Sequence, residues 1–276
     1  MNYKYKPIVA NIIKNKITLT QYTSIHHIND SSIKKMNKTE KRFIEKIRTK
    51  VSKAITDYAL LQNDDTIVVG VSGGKDSMAL LDILANRRKS CQFSYRVVAV
   101  HIQLSDVPYH TDAGYLQAFC AEREIPFHLL QDDTKIIVDN KQPCFYCAWN
   151  RRRLLFEFAV QNSYQKIALG HHKDDLVETL LMNMLQHGEL SAFPVKINMF
   201  EGAFDIIRPL IYSSNKELQR YIDIIGYKPL PYDCQFAETN RRESIKKIIQ
   251  SFYQIHPNAT DNIFKAIQNI DPKHLP

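Results

Sequence analysis

No stretch of the 276 residues approaches the roughly 18 consecutive apolar residues that a membrane-spanning helix needs. A membrane partner is therefore not expected. The N-terminus carries lysines but neither an apolar segment nor a small-residue cleavage site, which argues against a secretory signal and makes the cytoplasm the expected compartment. Cysteine is scarce and odd in number: Cys91, Cys120, Cys144, Cys147 and Cys234. Without secretion, that count excludes a disulfide framework and leaves metal or redox chemistry. Internal repeats and low-complexity tracts are absent. Arginine is missing from the first 35 residues, which hold six lysines against one acid, Asp30. Six minus one gives +5 of the net charge of +8, and eight minus five leaves only +3 for the rest. The basic balance thus says little about the folded body, and local clusters must carry any case for a nucleic-acid partner.

What is present is an ordinary globular composition, 44% hydrophobic and 24% charged, enough for one substantial domain. From Met36 an amphipathic pattern places Phe43, Ile47, Val51, Ile55 and Ala59 or Leu60 on one helical stripe. A turn at Asn63-Asp64-Asp65 precedes a short β-branched run, 66–71, that reads as a strand buried on both faces. Helices are then expected at 78–88, 112–124, from Cys147 to 162, and 174–185. Strands are expected at 95–102, 126–130 and 166–169. Strands alternating with helices of about 10–15 residues imply an α/β fold with a doubly wound parallel sheet, its ligands bound at the carboxyl ends of the strands. Short strands at 195–200 and 204–207 follow, and then a helical C-terminal region with helices at 215–225, 241–253 and 258–270.

Ser72-Gly73-Gly74-Lys75-Asp76-Ser77 joins a buried strand to a helix. Two glycines let the backbone approach an anion, and the helix N-terminus presents free N–H groups to phosphate. Ser72 and Ser77 add hydroxyls, Lys75 a charge, and Asp76 a carboxylate able to hold magnesium. The Walker A spacing is absent. The string resembles the pyrophosphate-binding loop of the N-type ATP pyrophosphatases, which cleave ATP between the α and β phosphates and transfer AMP to a substrate oxygen. A second cluster, Gly170-His171-His172-Lys173-Asp174-Asp175, ends another short strand and should lie beside the first loop. Asp174 could serve simply as a helix cap. Lys75, Asp76 and Asp175 are the expected catalytic residues, with Asp76 and Asp175 sharing a magnesium ion that neutralises charge on the α-phosphate. His101, Gly170 and His171 join the loop as expected ATP-binding residues.

Cys144-Phe145-Tyr146-Cys147 enters a helix, which suits a chelating pair of thiolates, though CxxC alone is ambiguous between zinc, an iron–sulfur cluster, a redox dithiol and no function. Cys234 stands apart in a loop. Three cysteines without a fourth do not fit a closed zinc site and do fit a 4Fe–4S cluster with one open iron. Cys120 lies on an apolar stripe with Leu116 and reads as core; Cys91 gets no function. Taken in order, SGGKDS, CFYC with its arginine run, ALGHHKDD, IIRPLIY, a third cysteine ahead of Arg242, and the closing NIFKAIQNIDPKHL resemble the tRNA 2-thiocytidine synthetase family over roughly residues 40–275. The resemblance implies an adenine-nucleotide α-hydrolase-like Rossmann variant and adenylation of the C2 oxygen of cytidine 32 in the tRNA anticodon loop. Sulfur from a cysteine desulfurase or another donor would replace that oxygen. It also implies Cys144, Cys147 and Cys234 as cluster ligands. One departure is Pro231, where the family often has another cysteine. Arg151, Arg152, Arg153, Arg241 and Arg242 follow the cysteines and are expected to hold tRNA phosphates, unless they pair with Glu157 or Glu243 on a solvated face.

Competing readings are a 2-thiouridine synthetase, which in its archaeal-type members usually adds zinc-binding CxxC pairs, and a lysidine-forming ligase, which leaves the cysteines unexplained. A third is a non-catalytic iron–sulfur or zinc redox regulator that binds RNA, against which the intact ATP loop argues. Self-association into a homodimer is left open. Residues 1–35 are expected to be a disordered basic extension, with residues 36–276 the thiolation domain and its helical part at about 214–276. The sequence from Met36 reads as a start, and the extension reads better as upstream sequence from a misassigned start codon than as a basic arm for tRNA.

Overall fold

A computed structural model of the chain describes residues 36–105, 111–133, 143–231, 241–271 and 273. The expectations for residues 1–35 and for Cys234 lie outside them.

Helix α1 (Lys38–Asp57) starts on a capping box: Glu40 N donates to Asn37 Oδ1 at 2.9 Å, and Asn37 N donates back to Glu40 Oε2 at 2.8 Å. Its buried stripe is Ile44, Ile47, Val51, Ala54 and Ile55. The expected stripe ran on to Ala59, but the helix ends at Asp57 and Ala59 turns to φ +45°, so Leu60 reaches the core from a loop.

Strands β1 (Asp65–Gly70), β2 (Tyr95–Leu104), β3 (Phe127–Asp132), β4 (Lys166–Ala168), β5 (Lys196–Met199) and β6 (Phe204–Ile207) form one sheet of order β3-β2-β1-β4-β6-β5. All neighbours are parallel except β5, which pairs antiparallel with β6 as an edge hairpin through positive-φ residues Phe200, Glu201 and Gly202. Strands β1, β2, β4 and β6 are buried on both faces over most of their length, while β3 and the edge strand β5 are only partly covered. Val68, Val98, Val100, Ile167 and Ile206 pack under helix α4 (Pro143–Gln161) through Leu154, Leu155 and Phe158. Ile67, Val69, Val97, Ala168 and Ile207 pack on the other side, in one cluster with Met78 and Leu81 of helix α2 (Lys75–Arg87).

Helix α3 (Ala113–Ala121) buries Leu116, Phe119 and Cys120 in that second cluster. Burial pushes the Cys120 thiol up to about 12, as befits a core residue. Helix α6 (Asn215–Ile225) adds Leu218, Tyr221 and Ile222. Helices α5 (Lys173–His187), α7 (Arg241–Ile255) and α8 (Ala259–Ala266) meet in a third cluster around Leu176, Val177, Ile245, Ile249 and Phe264. Among the described residues no helix is long and apolar enough to cross a membrane.

In the strand order, the chain runs from β1 outward to β3 and then returns to β4 on the other side of β1. A crevice therefore opens at the carboxyl ends of β1 and β4. The segments leaving those two ends are Val71–Ser77 and Leu169–Asp175.

Candidate active site at the switch point

Helix α2 begins at Lys75, three residues before the sequence pattern suggests, because Gly74 serves as its N-cap and Met78 N already donates to Gly74 O at 3.2 Å. Lys75, Asp76 and Ser77 thus form the first helical turn, where N–H groups have no intrahelical acceptor and favour an anion. The loop is closed on itself. Ser77 Oγ accepts from Ser72 N at 3.1 Å and donates to Gly74 O at 3.0 Å, while Ser72 Oγ accepts from Gly74 N at 3.3 Å. The Ser77 hydroxyl, expected to serve the phosphates, holds the loop's shape in this structure. Lys75 Nζ meets both oxygens of Asp76, at 2.7 and 2.8 Å.

The loop is also held from behind. Gly73, at φ +81°, has its carbonyl capped by Tyr227 Oη at 2.9 Å and Leu230 N at 3.1 Å. A Cβ there would stand 2.9 Å from Leu230 Cδ1. The neighbouring carbonyl of Val71 accepts from His101 Nδ1 at 2.7 Å. Because a carbonyl only accepts, Nδ1 carries the proton and Nε2 is left as an acceptor when the ring is neutral. Burial holds the His101 ring below the ordinary histidine value, and the charge of Arg151 adds to that.

Gly170 lets the second loop press on the first: a Cβ at this position would sit 3.0 Å from Ser77 N and 3.1 Å from the Asp76 carbonyl carbon. His172 is buried between the two loops, its Nε2 3.7 Å from Asp76 Oδ1 and 3.5 Å from Asp175 Oδ2. Asp175 also accepts from His172 N at 2.9 Å, closing the first turn of α5. Asp76 and Asp175 are therefore brought to a single imidazole edge. Asp174 does not cap its own helix. It accepts from Asn215 N at 2.5 Å, tying α5 to the first residue of α6. Lys173, itself buried, pairs with Asp261 on α8 and donates its backbone N–H to Ser213 O at 3.1 Å. The C-terminal helices thus fix the start of α5. His171 packs its ring on Phe193 at 5.1 Å.

Cys144 and Cys147 lie one turn apart on α4, the first exposed and the second half-buried, at the carboxyl side of the sheet. Phe145 between them is 61% exposed. Two thiols at a helix N-terminus, spaced three apart on one face, fit two ligands of a metal or cluster. Among the described residues they have no third His, Cys, Asp or Glu to complete a site.

The arginine run divides. Arg153 is only partly exposed: its guanidinium meets Asp132 at 2.5 Å and Glu157 at 3.0 Å, the ion pair with Glu157 being the alternative the sequence offered. Arg152 is exposed, and its Nε donates to Ala148 O. Arg151 stands close enough to His101 for its charge to act there. Arg241 and Arg242 open α7, but their side chains are outside the described residues. Arg208, following β6 and given no role by the sequence, is buried within reach of the Arg152 charge. Its sequence signal was its place in the string IIRPLIY, as a lone cation at the end of an apolar strand.

Comparison with known proteins follows the same lines. A model of the PP-loop domain matches residues 41–243. The tRNA-cytidine(32) 2-sulfurtransferase of Hahella chejuensis is 36% identical over 237 residues, 83% of this chain and 82% of that protein. The protein of the same name from Pseudomonas putida is 34% identical over 247 residues, 87% of each. Among solved structures, the U34-tRNA thiolase NcsA from Methanococcus maripaludis, determined with its 4Fe–4S cluster, superposes with a TM-score of 0.71. It shares 21% identity, covers 84% of this chain and 82% of its own, and so speaks for the fold.

Proposed function

The chain belongs to the PP-loop family and, within it, to the tRNA-cytidine(32) 2-sulfurtransferases, and we propose that it adenylates the C2 oxygen of a tRNA cytidine with ATP and replaces that oxygen with sulfur. The observation that carries this reading is the crevice, where the Ser72–Ser77 loop and the Gly170–Asp175 loop lie in backbone contact at the switch point. ATP enters with its β- and γ-phosphates toward the N-terminus of α2. Lys75 leaves Asp76 to meet the phosphates, and Asp76 and Asp175 would hold a magnesium ion, which would supply charge neutralisation for the phosphates. The base oxygen then bonds to the α-phosphorus as pyrophosphate leaves, and sulfur bonding at C2 expels AMP with the former oxygen.

Cys144 and Cys147, with Cys234, would hold a 4Fe–4S cluster, which supplies an open iron able to carry sulfur to the base. The donor set supports this, since both described thiols sit on one helix face at the carboxyl end of the strands, the end at which the nucleotide crevice opens. A cysteine desulfurase or another sulfur donor loads the site. Residues 36–276 make up the working unit, and residues 1–35 are dispensable to it. The test is a reconstituted reaction with ATP, sulfide and unmodified tRNA, reading AMP and pyrophosphate release and nucleoside mass. A thiolated cytidine is expected, whereas a thiolated uridine with unmodified cytidine rejects the proposal.

A further inference from the structure

Arg208 follows β6 directly and is only 8% exposed. Its Nη1 donates to Pro194 O at 2.5 Å, its plane lies 4.8 Å over the Phe193 ring, and its buried Nε has no partner. No carboxylate among the described residues pairs with it. A guanidinium taken out of water without a counter-ion is costly. Here the cost is raised further, because Arg152 on α4 adds a second positive charge: burial first, and Arg152 after it, push Arg208 down to about 10. Arg152 likewise has no carboxylate partner among the described residues. Arg153, the next residue on the same helix, has two. The fold thus neutralises one arginine of the run and leaves another, exposed on the same helix, near enough to add its charge to a buried cation, an arrangement that an anion would complete.

We propose that Arg208 and Arg152 together bind a phosphodiester of the RNA substrate, beside the nucleotide crevice. The assignment rests on the tRNA reading above. The position separates this anion from the phosphates of ATP. Those phosphates have their own donors at the end of β1, and β6 lies two strands away, roughly 10 Å across the sheet. Phe193 touches both places, its ring centre 5.1 Å from that of His171 and 4.8 Å from the Arg208 guanidinium carbon. A phosphate held here would fix the RNA strand between the nucleotide loop and the cysteine helix, with its base free to turn toward the crevice. Arg208 is in this sense a positioning residue for the reaction.

Binding of an unmodified tRNA transcript to the full chain across a salt series tests this, with ATP affinity measured separately in the absence of tRNA. Arg208→Met is expected to weaken tRNA binding roughly tenfold and to lower the slope of log K against log salt by about 1. Arg208→Lys should restore most of the slope. The exposed Arg152→Gln, which carries no risk to the core, should show the same kind of loss. In turnover, KM for tRNA should rise in each variant with kcat largely kept, and ATP affinity should not change. An equal loss of ATP affinity without tRNA would reassign the anion to the nucleotide. Unchanged tRNA affinity and slope in Arg152→Gln and Arg208→Met, with a lower melting temperature, would make the pair structural. Failure of the wild-type chain to bind tRNA at all would instead reject the substrate reading itself.

Discussion

A Cβ added to Gly170 would stand 3.0 Å from the amide nitrogen of Ser77, so the two loops of the crevice are in backbone contact and glycine is what permits it. Gly170→Ala must push the β4 loop off the first turn of α2, at a cost of about 1–3 kcal/mol for an overpacked contact. ATP affinity should fall with the melting temperature, while iron content stays as in the wild type. ATP affinity equal to wild type would show that the contact is not part of the nucleotide site.

Asp76 and Asp175 approach one edge of His172, at 3.7 and 3.5 Å. Asp76→Asn and Asp175→Asn keep the shape of each side chain and remove the charge a magnesium ion needs. Pyrophosphate release should drop by about 10²–10³-fold in each, the scale of losing one preorganised electrostatic contact in a transition state. The absorption spectrum of the cluster should be unchanged. Retention of full pyrophosphate release by either variant would remove that residue from the metal site.

Cys144→Ala, Cys147→Ala and Cys234→Ala should each lose the brown chromophore and acid-labile sulfide after anaerobic purification. Cys91→Ala and Cys120→Ala should keep both. Cys91 donates its thiol to Phe93 O, and Cys120 is sealed in the core. Stoichiometric zinc without sulfide in the wild type would replace the cluster with a zinc centre.

His101 links protonation to stability. Its ring is held below the ordinary value of 6.5 chiefly by burial, so the unfolded chain binds the proton more readily than the folded one. The stabilisation is fully present above about pH 6.5 and is lost as pH falls through that value toward the folded one. Melting temperature should therefore decline between pH 7 and pH 5. His101→Asn should flatten part of that decline, at a cost near neutrality of about 1 kcal/mol for the bond to Val71 O. Burial depresses His128 as well, so some slope remains. An identical pH slope in the variant would show that His101 does not titrate in this range.

Features carried by neighbouring residues were legible in the sequence. Ser72–Ser77 advertises its turn and helix start in six positions, and the apolar runs of β1 and β2 declare strands covered on both faces. Relationships between distant residues were not legible. Asp174 looks like a cap for its own helix, yet the N–H donor it serves belongs to α6, 41 positions on. Arg153 looks like a phosphate ligand until Asp132 and Glu157 are seen filling its fork. Arg208 shows only as part of the string IIRPLIY, because an uncompensated charge is a property of everything packed around it. The start of α2 was placed late, since Lys75-Asp76-Ser77 is polar and the apolar period begins only at Met78.

The carbonyl of Gly73 accepts two donors from a segment 154 positions away, Tyr227 Oη and, three residues later, Leu230 N. That segment runs on toward Cys234, so the nucleotide loop and the approach to the third cysteine share one anchor. Two substitutions separate the parts. Tyr227→Phe removes one hydrogen bond, about 1 kcal/mol, but keeps the ring against Tyr115 and Phe119. It should raise KM for ATP a few-fold and leave the cluster intact. Gly73→Ala meets both a positive φ and the Leu230 side chain at 2.9 Å, so the 227–230 segment has to move. Its ATP turnover should collapse, and the rate of iron loss to a chelator should rise with it. Chelation kinetics on the two variants decide the point. If Gly73→Ala releases iron no faster than Tyr227→Phe, the two sites are mechanically independent and the shared anchor serves the nucleotide loop alone.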